Sequence, residues 1–193
     1  DAKRGDIGNT ARMYAKALFD IYKFDAATVN PWGGRESVQP FIDYAYRGVI
    51  VWCRSSNPGA ADIQDLPLAD GRVLYEAVAQ QAREWNVHGN VGLVMGATWP
   101  EQIERVRDLC PDMLMLLPGI GSQAGDLEAS VQAAMDERGE GFLVNVSRSV
   151  LYASKGDGYA KAARKEAMKV RNRINLMRDA VLARRAGGTP SGR

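Results

Sequence analysis

Residues 91–117 read VGLVMGATWPEQIERVRDLCPDMLMLL, a stretch in which two short apolar runs flank one amphipathic segment. The first run ends at Gly96-Ala97-Thr98 and the second begins at Met113, which leaves room for a helix of about ten residues between them. Runs that are apolar almost throughout are typical of parallel strands covered on both faces. The stretch therefore predicts a strand–helix–strand unit, the repeating element of α/β folds.

The same unit recurs along the chain. Further apolar runs stand at 26–30, 48–53 and 141–146, and amphipathic segments predict helices over 34–46, 71–85, 100–109, 126–138 and 158–185. Two architectures fit this alternation, an open doubly wound sheet and a (β/α)8 barrel. Polar residues follow nearly every strand, as around the rim of a barrel, whereas an open sheet concentrates its ligands at one switch point. The pattern therefore favours the barrel.

The chain is short for that fold. It has 193 residues and no initiator Met, whereas a barrel normally takes about 250 residues. Five strands are visible, and Asp1 resembles the end of a sixth. We therefore expect the first two strands to be missing from this chain, an incomplete barrel domain over 1–186, and a disordered Gly/Ser/Pro tail over 187–193.

Composition narrows the class of protein. No apolar run approaches the ~20 residues of a membrane span. Cys53 and Cys110 form no C-x-x-C pair and predict reduced thiols in a cytoplasmic protein. His88 is the single histidine and lies in a predicted loop. One histidine and two distant cysteines make a zinc site improbable. A Ser-His-Asp triad would have to use this loop histidine, so it is improbable as well.

The charge is unevenly distributed. Residues 155–193 carry 11 Lys and Arg against three Asp and Glu, although the whole chain has a net charge of only +2. The basic residues share a predicted helix with an apolar face, and no aromatic residues alternate with them. This pattern favours a solvated helix face over a nucleic-acid-binding surface.

A D-x-K-x-x-D array opens the chain at Asp1, Lys3 and Asp6. On an extended backbone Asp1 and Lys3 point to the same face, because strand side chains repeat every two residues. Asp6 then lies where the loop turns into a helix. An ammonium held between carboxylates suits a reactive site, and the alternative is a surface Asp–Lys pair with Asp6 capping the helix.

Two loops carry residues suited to an anion. Segment 118–125 follows a strand and contains Gly119 and Gly121, whose backbone N–H groups can approach an anion closely. Arg148 follows the next strand and can hold a phosphate with two charge-assisted hydrogen bonds. Because the loops after a barrel's last two strands frequently form a phosphate site, the pair predicts one here. The serines of segment 55–59 suit the edge of a flat heterocycle, although Asn-Pro-Gly is also ordinary turn chemistry.

These motifs together resemble one known family. D-x-K-x-x-D-I at 1–7, S-x-P-G at 56–59, P-G-x-G-x-Q at 118–123 and R-S at 148–149 resemble the orotidine 5′-phosphate decarboxylases in order and spacing. The longer strings DAKRGDIG and CRSSNPG resemble the second bacterial subfamily. Each motif is weakly to moderately specific, and the four together are highly specific over residues 1 to about 180.

The resemblance implies a homodimer that converts orotidine 5′-phosphate to UMP and CO2, the last step of de novo pyrimidine nucleotide synthesis, without cofactor or metal. Lys3 would protonate C6 as CO2 leaves, Asp1 would sit beside the substrate's carboxylate and hold Lys3, and Asp6 would reach the neighbouring subunit's site with Thr10. Ser56 would contact the pyrimidine. The positions that the resemblance places in substrate binding are Thr10, Ser56, Pro58, Gln123 and Arg148, with Gly119 and Gly121 in the phosphate loop.

Two other functions stay open. Sugar-phosphate decarboxylases of the 3-keto-gulonate-phosphate type share D-x-K-x-x-D, but they use Mg2+ and lack the Ser-Asn-Pro-Gly pattern. The chain could also be a non-catalytic fragment that binds nucleotides or phosphate. The decarboxylases also carry an earlier strand-end Asp and a second Lys of the charged array, and we expect both to belong to the part of the barrel that is missing before Asp1.

Overall fold

The computed structural model describes residues 1–120 and 125–187 of the chain. One sheet contains β1 (Ala26–Val29), β2 (Gly48–Arg54), β3 (Val91–Met95), β4 (Leu114–Leu117) and β5 (Phe142–Val144). The helices are α1 (Gly8–Lys16), which continues into a π-helical turn (Ala17–Ile21), α2 (Arg35–Ile42), α3 (Ala61–Gln64), α4 (Leu74–Trp85), α5 (Pro100–Leu109), α6 (Leu127–Ala134), α7 (Arg148–Leu151) and α8 (Tyr159–Gly187).

The order of the strands decides between the two predicted architectures. All neighbouring strands are parallel, and they follow one another in chain order from β1 to β5. A doubly wound sheet reverses its strand order at a switch point, and these strands show no reversal. A sheet that grows in one direction, with a helix after each strand, is the arrangement of a barrel.

Side chains alternate between the two faces of the sheet, as the pleat requires. One set is buried against residues of the surrounding helices, among them Val38, Phe41, Ala79 and Ile103. The strand residues of this layer include Val49, Val51, Leu93, Met95, Met115 and Leu117, all fully buried. The other set faces a cavity on the inner side of the sheet and includes Thr28, Ile50, Trp52, Val94 and Leu116.

The predicted elements are present with shorter bounds in several places. The helix predicted over 34–46 ends at Ile42, where the chain turns back towards β2. The helix predicted over 126–138 ends at Ala134, because the Asp136 carboxylate accepts hydrogen bonds from the backbone N–H groups of Arg138 and Glu140. Such local side-chain bonds compete with the helix ladder.

The two ends of the domain differ from expectation in detail. At the start, Arg4 makes a single parallel bridge to Val29, and no further ladder forms. Helix α8 runs through Gly187, the first residue of the predicted tail, and 188–193 lie outside the described residues. None of the helices within the described ranges is both long and apolar enough to cross a membrane.

Candidate active site

A cavity of about 610 Å3 opens on the inner side of the sheet. Its walls come from all five strands, and its rim comes from the residues that follow them. Because parallel strands end at the same edge of a sheet, residues far apart in sequence meet there. The polar groups that line it are Asp1, Lys3, Thr28, Ser55, Ser56, Asn57, Asn145 and Ser147.

Asp1 and Lys3 form an ion pair at one end of the cavity. Lys3 Nζ lies 2.5 Å from Asp1 Oδ2, and both side chains keep access to solvent. The Thr28 hydroxyl donates to Asp1 Oδ1 at 2.8 Å and accepts from the Lys3 backbone N–H at 2.9 Å. One β1 side chain therefore fixes the carboxylate and the lysine backbone together, a role that the sequence did not reveal.

Lys3 has a left-handed backbone, with φ +45°. This conformation is uncommon for a residue other than glycine and costs about 1–3 kcal/mol. The extended backbone that would place Asp1 and Lys3 on one face is therefore not present at Lys3, and the two side chains pair nevertheless.

Trp52 is a second wall residue that sequence patterns missed. Lys3 Nζ lies 5.7 Å from the centre of a Trp52 ring, within the range of a cation–π interaction. The indole N–H donates to Ser55 Oγ at 2.5 Å. Trp52 thus links the ammonium to the loop after β2. Its place at alternate spacing from Ile50, inside an apolar run, was the only signal in the sequence.

Asp6 and Thr10 do not line the cavity. Asp6 is exposed, and its Oδ1 accepts from the Ile7 backbone N–H at 2.8 Å. The first helix begins at Gly8 with Ile7 at the capping position, so Asp6 is not the helix cap of the alternative interpretation. Thr10 is exposed on α1. Both side chains are therefore exposed outside the cavity.

The loop after β2 brings Ser55, Ser56 and Asn57 to the cavity. The Thr98 hydroxyl donates to the Ser56 carbonyl at 2.9 Å. Pro58 is exposed outside the cavity, where it begins a 3-10 turn over Pro58–Ala60. The structure therefore places both serines at the cavity, and it gives Pro58 a position in the turn.

The two predicted phosphate loops follow the paired strands β4 and β5. Gly119 has a φ of +104°, and its carbonyl accepts from the Gly125 N–H at 3.2 Å, which closes the base of the loop. Gly121 and Gln123 lie outside the described residues. Arg148 is exposed at the start of α7 and does not itself line the cavity, whereas its neighbour Ser147 does.

The other chemistry-bearing residues lie elsewhere. Cys53 and Cys110 are free, and burial raises the pKa of both thiols, which keeps them protonated and unreactive. His88 is exposed in the loop between α4 and β3, as predicted. Among residues 1–120 and 125–187, no three His, Cys, Asp or Glu side chains converge to hold a metal ion.

Comparison with known proteins gives consistent matches. An orotidine 5′-phosphate decarboxylase from Roseiflexus sp. (strain RS-1) is 53% identical over 176 residues, which cover 91% of this chain and 65% of the relative. The enzyme of the same name from Cupriavidus taiwanensis is 52% identical over 179 residues and is covered to the same 65%. The chain thus spans about two thirds of the length of these curated relatives.

Solved structures agree with the sequence matches. The Leishmania donovani OMP decarboxylase superposes with a TM-score of 0.80 at 42% identity, over 92% of this chain and 67% of that one. A Toxoplasma gondii orotidine-monophosphate-decarboxylase described as putative gives 0.85 at 36% identity, over 95% and 68%. This likeness and the strand order confirm the (β/α)8 barrel fold. The family model named orotidine 5′-phosphate decarboxylase / HUMPS matches residues 1–164, and the chain belongs to that family.

Proposed function

We propose that this protein catalyses the decarboxylation of orotidine 5′-phosphate to UMP and CO2. The observation that carries the proposal is the Asp1–Lys3 pair, which Thr28 fixes at the end of an inner cavity. A volume of about 610 Å3 is in the usual range for small-molecule sites. The names of the relatives support the same reaction.

The reaction needs a fixed positive charge beside one carbon. When the bond between C6 and the carboxylate breaks, the electron pair stays on C6 in an orbital that the ring cannot delocalise. A preorganised ammonium stabilises that charge. Lys3 Nζ then transfers a proton to C6, and solvent returns a proton to the amine. Asp1 holds the Lys3 ammonium in place through their ion pair.

The rest of the substrate supplies orientation. We place the pyrimidine against the loop of Ser55 and Ser56, and the phosphate against the loops that contain Gly119 and Arg148, with Gly121 and Gln123. Because the phosphate is remote from C6, its binding energy serves to hold the reacting groups in place. In the proposed homodimer, the exposed Asp6 and Thr10 complete the site of the partner subunit, and the reaction takes place in the cytoplasm.

Turnover in the presence of a chelator tests the proposal. The full-length protein is mixed with orotidine 5′-phosphate and EDTA, and the loss of substrate absorbance is followed with and without 6-aza-UMP. Turnover that survives EDTA and stops with the analogue supports a metal-free decarboxylase. Turnover of a sugar phosphate that needs Mg2+ would instead identify the second activity that the double name of the family allows.

Replacing Arg148 with alanine is expected to weaken phosphate binding. Loss of a charge-assisted contact costs about 1.5–3 kcal/mol, so kcat/KM should fall about 10- to 150-fold. UMP should inhibit more weakly by a similar factor, whereas inhibition by uridine should not change. Competition assays against orotidine 5′-phosphate measure both inhibition constants.

Arg184→Ala is the matched control for Arg148. Arg184 is exposed on the last turn of α8, next to Arg185, which donates to the Asp136 carbonyl near the start of β5. That region lies at the opposite end of the strands from the cavity rim, so Arg184→Ala should leave both constants unchanged. Equal weakening of UMP and uridine in Arg148→Ala would contradict a phosphate contact.

A further inference from the structure

Arg54 is the largest fully buried side chain of the described residues and carries a charge that the proposed mechanism does not use. Burying a guanidinium is costly unless it is paired and hydrogen-bonded. Here Nη2 lies 2.9 Å from Asp65 Oδ2, and Cζ lies 5.0 Å from a Trp99 ring centre. Nε donates to Gln102 Oε1 at 2.7 Å. The charge is therefore compensated within the protein.

The end of β2 is built to place this side chain. The pairing of β2 with β3 shifts register between Trp52 and Arg54, so that Arg54 pairs with Met95. Irregularities of this kind re-aim side chains and are frequent beside active sites. Arg54 thereby connects three separate parts of the fold, namely the loop after β2, the end of α3 at Asp65 and helix α5 at Gln102.

The same network holds the backbone of the loop that reaches the cavity. Arg54 Nη1 donates to the Ser55 carbonyl at 2.9 Å, and the Ser55 N–H donates to Gln64 Oε1 at 2.8 Å. Gln64 Oε1 also accepts from Arg54 Nη1 at 3.4 Å. Both backbone groups of Ser55 are thus fixed by Arg54 or by a residue that Arg54 contacts.

The opposite side of the loop rests on the residues after β3. A Cβ at Gly96 would lie 2.5 Å from the Ser56 backbone nitrogen and 2.6 Å from the Ser55 carbonyl carbon. Thr98 Oγ1 donates to the Ser56 carbonyl at 2.9 Å. The loop is therefore held between the Arg54 network and the surface formed by Gly96 and Thr98, which leaves it little freedom to shift.

We propose that Arg54 is a positioning residue that sets the affinity for the pyrimidine base by fixing the Ser55–Asn57 loop, without touching the substrate. The inference rests on the proposed function, which assigns this loop to the base. The base and the ribose phosphate of the nucleotide are then bound by independent parts of the site. Binding of the base depends on the Arg54 network, whereas binding of the ribose phosphate does not.

Calorimetric titration with UMP and with ribose 5-phosphate tests this separation. In Arg54→Met, affinity for UMP should fall about 10- to 100-fold, the scale expected when hydrogen bonds from the loop to the base are lost. Affinity for ribose 5-phosphate should stay within about twofold. Arg54→Lys keeps the charge but loses the fork of donors, and it should fall between the wild type and Arg54→Met.

Two further variants make the test decisive. Arg105→Met breaks the 2.7 Å ion pair with Glu76 between α5 and α4, away from the loop, and should leave the ratio of the two affinities unchanged. Thr98→Val removes one bond to Ser56 without disturbing a charge, so it should lower UMP affinity alone, even if Arg54→Met does not fold.

The proposal is overturned if UMP and ribose 5-phosphate lose affinity together, or if UMP binds normally to a folded Arg54→Met or Thr98→Val. Decarboxylation by the wild type is measured separately. Its absence would refute the proposed reaction, whereas the affinity ratio in the variants decides the role of Arg54.

Discussion

Lys3→Ala is expected to lower kcat for decarboxylation by about 10^4-fold or more, because one side chain supplies both charge stabilisation and the proton. Lys3 is held by the carboxylate of Asp1 at 2.5 Å and by a backbone bond to Thr28. Single-turnover mixing of enzyme with orotidine 5′-phosphate measures the step directly. UMP affinity should change far less, because the base loop and the phosphate loops stay in place.

Lys23→Ala provides a control for the backbone. Lys23 is the other left-handed residue besides glycine in the described part of the chain, with φ +58°, and it is exposed away from the cavity. Alanine at this position tests the effect of removing a lysine from a left-handed conformation without touching the site. Activity should be unchanged. A Lys3→Ala enzyme that keeps more than about a tenth of wild-type kcat would contradict the assignment. General acid catalysis alone contributes about 100-fold or more to a rate.

Arg107→Met is expected to lower the free energy of unfolding by about 3–5 kcal/mol, because several backbone carbonyls lose their hydrogen-bond donor and each unsatisfied buried group costs about 1–3 kcal/mol. Arg107 lies in the last turn of α5, and its buried side chain reaches the end of α6 and the residue before β5. It donates to the backbone carbonyls of Cys110, Pro111, Met113, Ala134 and Gly141. Burial lowers the pKa of Arg107 from its ordinary value, and the nearby Asp136 opposes that shift. The guanidinium nevertheless stays charged.

The loss arises because methionine has no donors for these carbonyls. Helices α5 and α6 end at Leu109 and Ala134, where their last carbonyl groups need partners. Those ends also carry partial negative charge that a cation stabilises. Arg107 supplies hydrogen-bond donors and a positive charge to the ends of both helices. Urea denaturation followed by circular dichroism gives the difference in free energy.

Arg138→Met is the matched control. Arg138 pairs with Asp136 at 3.3 Å in the adjacent turn, but its side chain is 79% exposed, so its removal should cost less than about 1 kcal/mol. Arg107→Lys keeps the charge with fewer donors and should lie between the two. If Arg107→Met costs no more than the Arg138 control, the carbonyls find other partners and the role given to Arg107 is wrong.

Much of the fold could be predicted because buried apolar residues recur at the regular spacing of strands and helices. The apolar run of β3 at Val91–Met95 and the helical spacing of α5 are visible without any knowledge of the partners. The same logic failed on the inner side of the sheet. Leu116 and Leu143 belong to apolar runs, yet they line a cavity. An apolar cavity wall and an apolar core have the same pattern, so periodicity cannot separate them.

The sequence by itself determined the strand–helix alternation, the Asp1–Lys3 pair and the family motifs, because each of these depends on residues that are close together in the chain. Only the tertiary structure decided that Thr28 would bridge Asp1 to Lys3 and that Trp52 would lie beneath the ammonium. It also decided that Arg54 would be buried behind the base loop. These contacts join residues tens of positions apart, and they depend on strand register and loop closure, which no local spacing encodes.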